Sequence, residues 1–191
     1  MKKLIYSVIA LIAITSCSND SDTENTKPID PPVEKPTEPT NNSKGKFTLD
    51  NVTYDVTFGL ITTLKIPNNI SHTSIDLQNI NNNASETNNI SLSIFHDTSK
   101  SISGTYNLGD WRKNDIGILD SYLTSYTSSV NTPSGLEIIS SNTKDISGVK
   151  EGFLIIKENG NKNYTIKYDL LFENGKRSSA DTTLDLIENR K

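Results

Sequence analysis

The sequence predicts an all-β chain: a single antiparallel β-sandwich or lipocalin-like barrel of eight to ten strands, placed after a disordered linker. Three observations carry this reading. Most apolar segments of residues 45–191 alternate with polar residues at a period of two, the signature of half-buried strands. Only four alanines occur in 191 residues, and Ala10 and Ala13 lie near the start, so a helical bundle lacks its best helix formers. Five of the seven prolines crowd into residues 26–43, which leaves only Pro67 and Pro133 to interrupt the body. Composition also excludes a class of function. The chain is 33% hydrophobic and 22% charged with a net charge of −4, and its lysines and arginines form no basic stripe, so nucleic acid is not a partner.

The elements follow in order. Lys2 and Lys3 precede an apolar stretch over residues 4–14, eleven residues and too short to span a bilayer, so residues 1–16 read as an export signal outside the fold. The signal ends in Ile14-Thr15-Ser16-Cys17, which resembles the lipobox of bacterial lipoproteins: an aliphatic residue, two small residues and a cysteine. That resemblance implies lipidation of Cys17, the only cysteine of the chain, and attachment to a membrane through the N-terminal lipid. The tract Ser18-Asn19-Asp20-Ser21-Asp22-Thr23-Glu24 resembles the Ser/Asp-rich export tract of Bacteroidetes-type surface lipoproteins. It implies an outer-membrane protein displayed at the cell surface, with the periplasmic face as the alternative. Residues 17–44 form a lipidated, proline-rich linker that cannot build a core. Residues 18–44, fully extended at about 3.1 Å per residue, reach roughly 80 Å.

Residues 45–191 read as a series of hairpins with no disulfide. Val52, Tyr54, Val56, Phe58 and Leu60 share one face of a strand, and a two-residue turn at Asp50-Asn51 pairs Leu49 with Val52 and Phe47 with Tyr54. Further strands are expected at 75–77, 90–94, 102–108, 119–126 and 136–139, with the Asn-rich run 79–89 as a loop. Glu-Asn-Gly occurs at Glu158-Asn159-Gly160 and again at Glu173-Asn174-Gly175, the spacing of a meander. A two-residue turn at the second copy would drive Arg177, Ser179 and Asp185 into the core. A three-residue turn with Gly175 left-handed instead pairs Tyr164 with Leu184, Ile166 with Thr182 and Tyr168 with Ala180. The expected core is Phe47, Leu49, Val52, Tyr54, Val56, Phe58, Ile90, Leu92, Ile94, Tyr164, Ile166, Tyr168, Leu170, Phe172 and Leu184. The opening Gly45-x-Phe47-x-Leu49 hairpin and the closing meander resemble the small all-β lipoproteins of the same bacterial group, sandwich-like or lipocalin-like.

No catalytic set emerges from the residues, and no enzyme is expected. His72 and His96 are the only histidines, no G-x-S-x-G elbow accompanies the many serines, and His96 reads as a strand-end residue bonded to a neighbour. No metal or cofactor is expected: Cys17 is the sole thiol, no H-E-x-x-H occurs, and Asp110, Asn114, Asp115 and Asp120 lack the spacing of a calcium loop. Those acids read as turn and solvation residues. The aromatic residues are the better pointer to binding. Trp111 stands in a polar loop, and Tyr122 and Tyr126 share a face of the following segment, so an exposed ring platform for a sugar is one reading and packing at one end of the core the other. Asp181-Thr182-Thr183 resembles an O-glycosylation acceptor of that bacterial group, although the hairpin register turns Thr182 toward the core. A non-enzymatic surface module, recognising an extracellular glycan or protein or serving structurally as an accessory lipoprotein, is the expected function. A carrier of a small apolar ligand is the alternative, and a hydrolase is less favoured.

Overall fold

The computed structural model describes residues 45–80, 86–113, 115–142 and 148–190, all within one compact unit, Pro39–Lys191. The signal segment, Cys17, the linker to residue 44 and Asn114 lie outside the described residues. The strands are β1 (Lys46–Leu49), β2 (Val52–Asp55), β3 (Phe58–Ile66), β4 (Ile70–Ile80), β5 (Glu86–Asp97), β6 (Gly104–Gly109) and β7 (Ile118–Asp120). They continue with β8 (Ser125–Thr132), β9 (Gly135–Ser141), β10 (Val149–Gly160), β11 (Asn163–Phe172), β12 (Arg177–Asp185) and β13 (Ile187–Arg190). One 3₁₀ turn, Trp111–Lys113, precedes β7. The fold is all-β, as the alternation dictates. Thirteen strands replace the expected eight to ten because three strands are interrupted: β2 runs into β3, β7 into β8 and β12 into β13, so ten remain if each pair is joined.

The sheet curls into an incomplete barrel in the order β13-β3-β4-β5-β7-β6-β10-β11-β12-β1-β2, with the β8–β9 hairpin branching from β5. Only Leu186 separates β12 from β13, which returns the chain to β3 as its parallel neighbour. Gly59 permits this return, because a Cβ there would stand 2.6 Å from Leu186 Cδ2. A second parallel pair joins β6 and β7, so the sheet is mixed rather than wholly antiparallel.

Turn chemistry fixes the hairpins. Asp50 and Asn51 both take positive φ, 52° and 67°, and pair Leu49 with Val52 and Phe47 with Tyr54. At Glu173-Asn174-Gly175 the three-residue turn holds: Gly175 has φ 83°, and Tyr164, Ile166 and Tyr168 face Leu184, Thr182 and Ala180. The first Glu-Asn-Gly behaves differently. There the chain reverses one step later, at Asn161-Lys162 with φ 51° and 62°, and Glu158 to Gly160 forms an irregularity in β10.

Inward-facing residues from every wall of the curl build one core around Ile75, Leu92, Leu119, Leu154, Ile166 and Phe172. Its buried tyrosines are each satisfied at the hydroxyl. Tyr106 donates to Ile102 O at 2.7 Å, Tyr126 accepts from Asn174 Nδ2 at 2.7 Å, and Tyr168 Oη meets Ser178 Oγ at 3.1 Å. Several sequence expectations change here. Val52 is 51% exposed, since β2 is the last strand of the sheet and Val52 borders its turn, while Tyr54 and Phe58 are only half-buried. The strand expected from Val52 to Leu60 breaks at Val56-Thr57, and burial passes to Gly59 and Ile61. Residues 79–80 and 87–89 of the Asn-rich run, expected as a loop, pair between β4 and β5 instead, and residues 81–85 of that run lie outside the described residues.

Unfolding in urea tests this division of the core. Phe172→Ala is expected to cost about 3–5 kcal/mol, the range for a fully buried phenylalanine. Val52→Ala is expected to cost no more than about 0.5 kcal/mol, as at an exposed position.

Candidate functional site

The most elaborately supported surface feature grows from the break between β7 and β8. β5 pairs along residues 86–91 with β8 and at Ile94 and Phe95 with β7. Between these two partners the chain makes a turn over residues 121–124, and the backbone N–H groups that leave the ladder there need acceptors. Asp120, fully buried, supplies most of them. Its carboxylate accepts from the backbone N–H of Trp111 at 3.0 Å, of Tyr122 at 3.0 Å and of Leu123 at 2.8 Å. Thr124, equally buried, accepts from Ser93 N at 3.2 Å and so serves the β5 backbone across the gap. Ser121 closes the account by donating to Gly109 O and accepting from Val149 N. Gly148 is required at that approach, because a Cβ would lie 2.4 Å from Ser121 O.

On this frame stands a small platform of rings. Trp111 is 42% exposed, and one face of its indole stacks on Phe95 with centroids 5.3 Å apart and planes 14° apart. Phe95 in turn stacks on His72 at 4.7 Å. Phe95 alternates with Ile94 along β5 and lies outside the main core, so this three-ring stack lies across the outer face of the sheet. Tyr122 is 49% exposed, and the Arg112 guanidinium sits 3.6 Å from its ring centroid. Arg112 is itself clamped by Asp110 through Nε at 2.9 Å and Nη2 at 3.1 Å. The paired hydrogen bonds from Arg112 hold the Asp110 carboxyl below its ordinary value, and the same contacts hold the guanidinium charged beyond its ordinary range.

The structure separates the three aromatic candidates. Trp111 and Tyr122 reach solvent around Arg112, whereas Tyr126 is 1% exposed and packs edge-on against Phe172 at 4.8 Å. Tyr122 and Tyr126 do not share a strand face, because the hydrogen bonds to Asp120 pull residues 121–124 out of the strand. The acids nearby are not mere solvation residues: Asp120 caps three amides, Asp110 clamps Arg112, and Asp115 Oδ2 accepts from Asp110 N at 3.2 Å. No group of three His, Cys, Asp or Glu side chains gathers in metal-binding geometry among the described residues. Phe95 and His72, which form the floor beneath Trp111, carry no signal in sequence beyond strand alternation. Thr182 is half-buried and its Oγ1 accepts from Lys46 N at 3.1 Å.

Both histidines are held neutral by their surroundings. His96 is buried, with Nδ1 3.1 Å from Asp97 O and Nε2 3.0 Å from Thr73 Oγ1, so the proton belongs on Nδ1 and Thr73 donates to Nε2. His72 Nε2 lies 2.6 Å from Ser93 Oγ. Burial lowers both values below the ordinary 6.5, opposed by the Asp97 carbonyl and carboxylate at His96 and by the Asp120 carboxylate at His72. Compared with known proteins, the chain matches no family model, no curated protein and no solved structure.

Two measurements test this frame. Asp120→Ala leaves three amides without their acceptor, at about 1–3 kcal/mol for each one that stays buried, so chemical denaturation should show a loss of several kcal/mol. The second is the pH dependence. Because both folded-state histidine values are depressed, their stabilising contribution is complete above the unfolded value of about 6.5 and is lost as pH falls through it toward the folded values. The melting temperature should therefore drop between about pH 7.5 and about pH 5.5, and a His72→Gln/His96→Gln variant should show a shallower drop. Burial raises the Asp76 carboxyl and works in the opposite sense in both proteins, so the comparison isolates the histidines.

Proposed function

We propose that this chain is a lipid-anchored recognition module of the outer membrane, displayed at the cell surface on its proline-rich linker, that binds an extracellular glycan through Trp111 and Tyr122. The observation that carries the reading is the mounting of Trp111. An indole with one face on Phe95, its backbone N–H on a buried carboxylate and 42% of its surface in solvent is pre-organised to receive a flat apolar surface. The apolar face of a sugar ring is such a surface. Arg112 and the polar loop around it supply hydrogen-bond donors and acceptors at the rim for the hydroxyls.

The interior supports a recognition module over a carrier of a bulky apolar ligand. Phe47, Phe172, Tyr126, Tyr164 and Tyr168 fill the curl and are almost completely buried, where a carrier needs a lined, empty space. Attachment through Cys17 rests on the lipobox, and surface display on the Ser/Asp tract that follows it. Display at the surface and a glycan partner fit together, since a linker of this length carries the platform clear of the membrane.

A glycan and host-protein binding array with the full-length protein tests the function. Glycan binding by the wild type, weakened at least about tenfold by Trp111→Ala and less by Tyr122→Ala, is expected for ring stacking. Unchanged glycan binding by Trp111→Ala, or capture of protein alone, contradicts it. Cys17→Ala should move the protein from the membrane to the soluble fraction, and protease shaving of whole cells should remove the wild-type domain.

A further inference from the structure

The β8–β9 hairpin branches from β5, and among the described residues β9 pairs only with β8. From Leu136 to Ser140 its outer edge therefore presents backbone groups to no further strand. Every residue from Pro133 to Ile139 is exposed, with Leu136 at 66%, Ile138 at 49% and Ile139 at 57%. Soluble proteins ordinarily blunt an edge strand with lysine, proline or shortness. The edge strand β2 follows that rule, with four residues and Asp55 paired to Lys46. β9 does not: it has seven residues, no proline, and Glu137 as its only charge.

The register assigns faces to β9. Glu137 lies opposite Val130 and Ser140 opposite Ser128, so both look to one face, whereas Leu136 opposite Asn131 and Ile138 opposite Ser129 look to the other. Ile139 is the extra residue of a bulge, which is why Glu137 and Ser140, three apart, share a face. On β8's other side Glu86 also lies opposite Val130, so that rung carries two acids about 10 Å apart, two strand spacings. The base of the hairpin is bordered by a cation instead. Lys176 Nζ donates to Ser140 Oγ at 3.0 Å and lies 3.4 Å from the Asp50 carboxylate.

We propose that β9 pairs antiparallel with β9 of a second copy about a two-fold axis, joining two hairpins into one four-stranded sheet. With the axis between Ile138 and Ile139, Ile138 stands opposite Ile139 of the second copy and Glu137 opposite Ser140 of the second copy. Faces then match, and each Glu137 comes beside Lys176 of the other copy. The face-matched register centred on Glu137 would set the two Glu137 side chains opposite each other, which like charges disfavour. A strand that pairs with itself covers both edges at once and closes as a dimer. The three apolar side chains present on the order of 300 Å² per copy, within the range of about 300–600 Å² at which a monomer's largest patch is often functional. Two such patches make an interface below about 1,200 Å² in total, so the dimer is weak, with a dissociation constant on the order of 100 µM. Anchoring of both copies to one membrane surface raises their local concentration. The pairing itself needs neither the lipid nor the ring platform.

Sedimentation of the full-length Cys17→Ala chain from about 1 µM to about 1 mM tests the proposal, and a reversible dimer is expected. Ile138→Lys/Ile139→Lys, at exposed positions, should keep the parent's melting temperature and weaken the dimer at least about tenfold. A monomer throughout, or association unchanged in that variant, overturns the proposal. Cysteine cross-linking reads the register, since this background has no other thiol. Glu137→Cys/Ser140→Cys should oxidise to a covalent dimer, because opposite residues lie about 4.5–5.5 Å apart at Cα. Within one copy the two cysteines lie along one strand, beyond the roughly 7 Å that a disulfide spans. Cross-linking of the single Glu137→Cys variant instead, or of neither variant, overturns the proposal. Trp111→Ala should dimerise as its parent does, so failure of the glycan reading and failure of this one are distinguishable.

Discussion

The fold turns on one buried carboxylate. An interior strand of a curled sheet needs hydrogen-bonded neighbours on both sides, and at β5 one neighbour changes along its length: β8 serves its first half and β7 its second. The four residues between β7 and β8 therefore leave the ladder, and their amides need other acceptors. Asp120 meets that demand by accepting three backbone N–H groups, and Thr124 hands its hydroxyl to the strand across the gap. The fork so stabilised sends one branch through β6 and β10 around the barrel wall. It leaves the other as the β8–β9 hairpin.

The same interaction connects fold to surface chemistry. Because Asp120 binds the amide of Trp111 from one loop and those of Tyr122 and Leu123 from another, it gathers two distant stretches of chain at one place on the outer face. Arg112 then adds a lateral tie, clamped by Asp110 and laid over Tyr122. Rings on loops are ordinarily free to turn; these have a stacked floor of Phe95 and His72 and a fixed backbone. The opposite side of the same strands closes the end of the core, where threonines, His96 and charged residues replace aliphatic ones. Strand alternation thus lets β4 and β5 serve an outer ring platform and the inner core with neighbouring residues.

Where the sequence was readable, local chemistry decided the outcome. Asp50-Asn51 and Glu173-Asn174-Gly175 specify their turns through residues that accept positive φ, and parity then sets the whole register of the closing meander, since a slip would bury Arg177 and Asp185. Where it was not, a distant partner decided. The alternation from Val52 to Leu60 looks continuous, yet Thr57 N donates to Gln78 O and the chain changes neighbours there. Tyr122 and Tyr126 have the spacing of one strand face and are split by Asp120. Val52 fits a core pattern but sits on the last strand. Trp111 and Tyr122 were legible as surface aromatics by type and context, whereas the floor under Trp111 assembles only once β4 and β5 lie side by side.

Native-state hydrogen exchange tests the central role of Asp120 most directly. If the carboxylate holds the fork, the amides of Trp111, Tyr122 and Leu123 should exchange orders of magnitude more slowly than exposed loop amides and approach the protection of β5 and β11. Exchange at those three amides as fast as in the exposed turn at Asn161 and Lys162 would contradict the account.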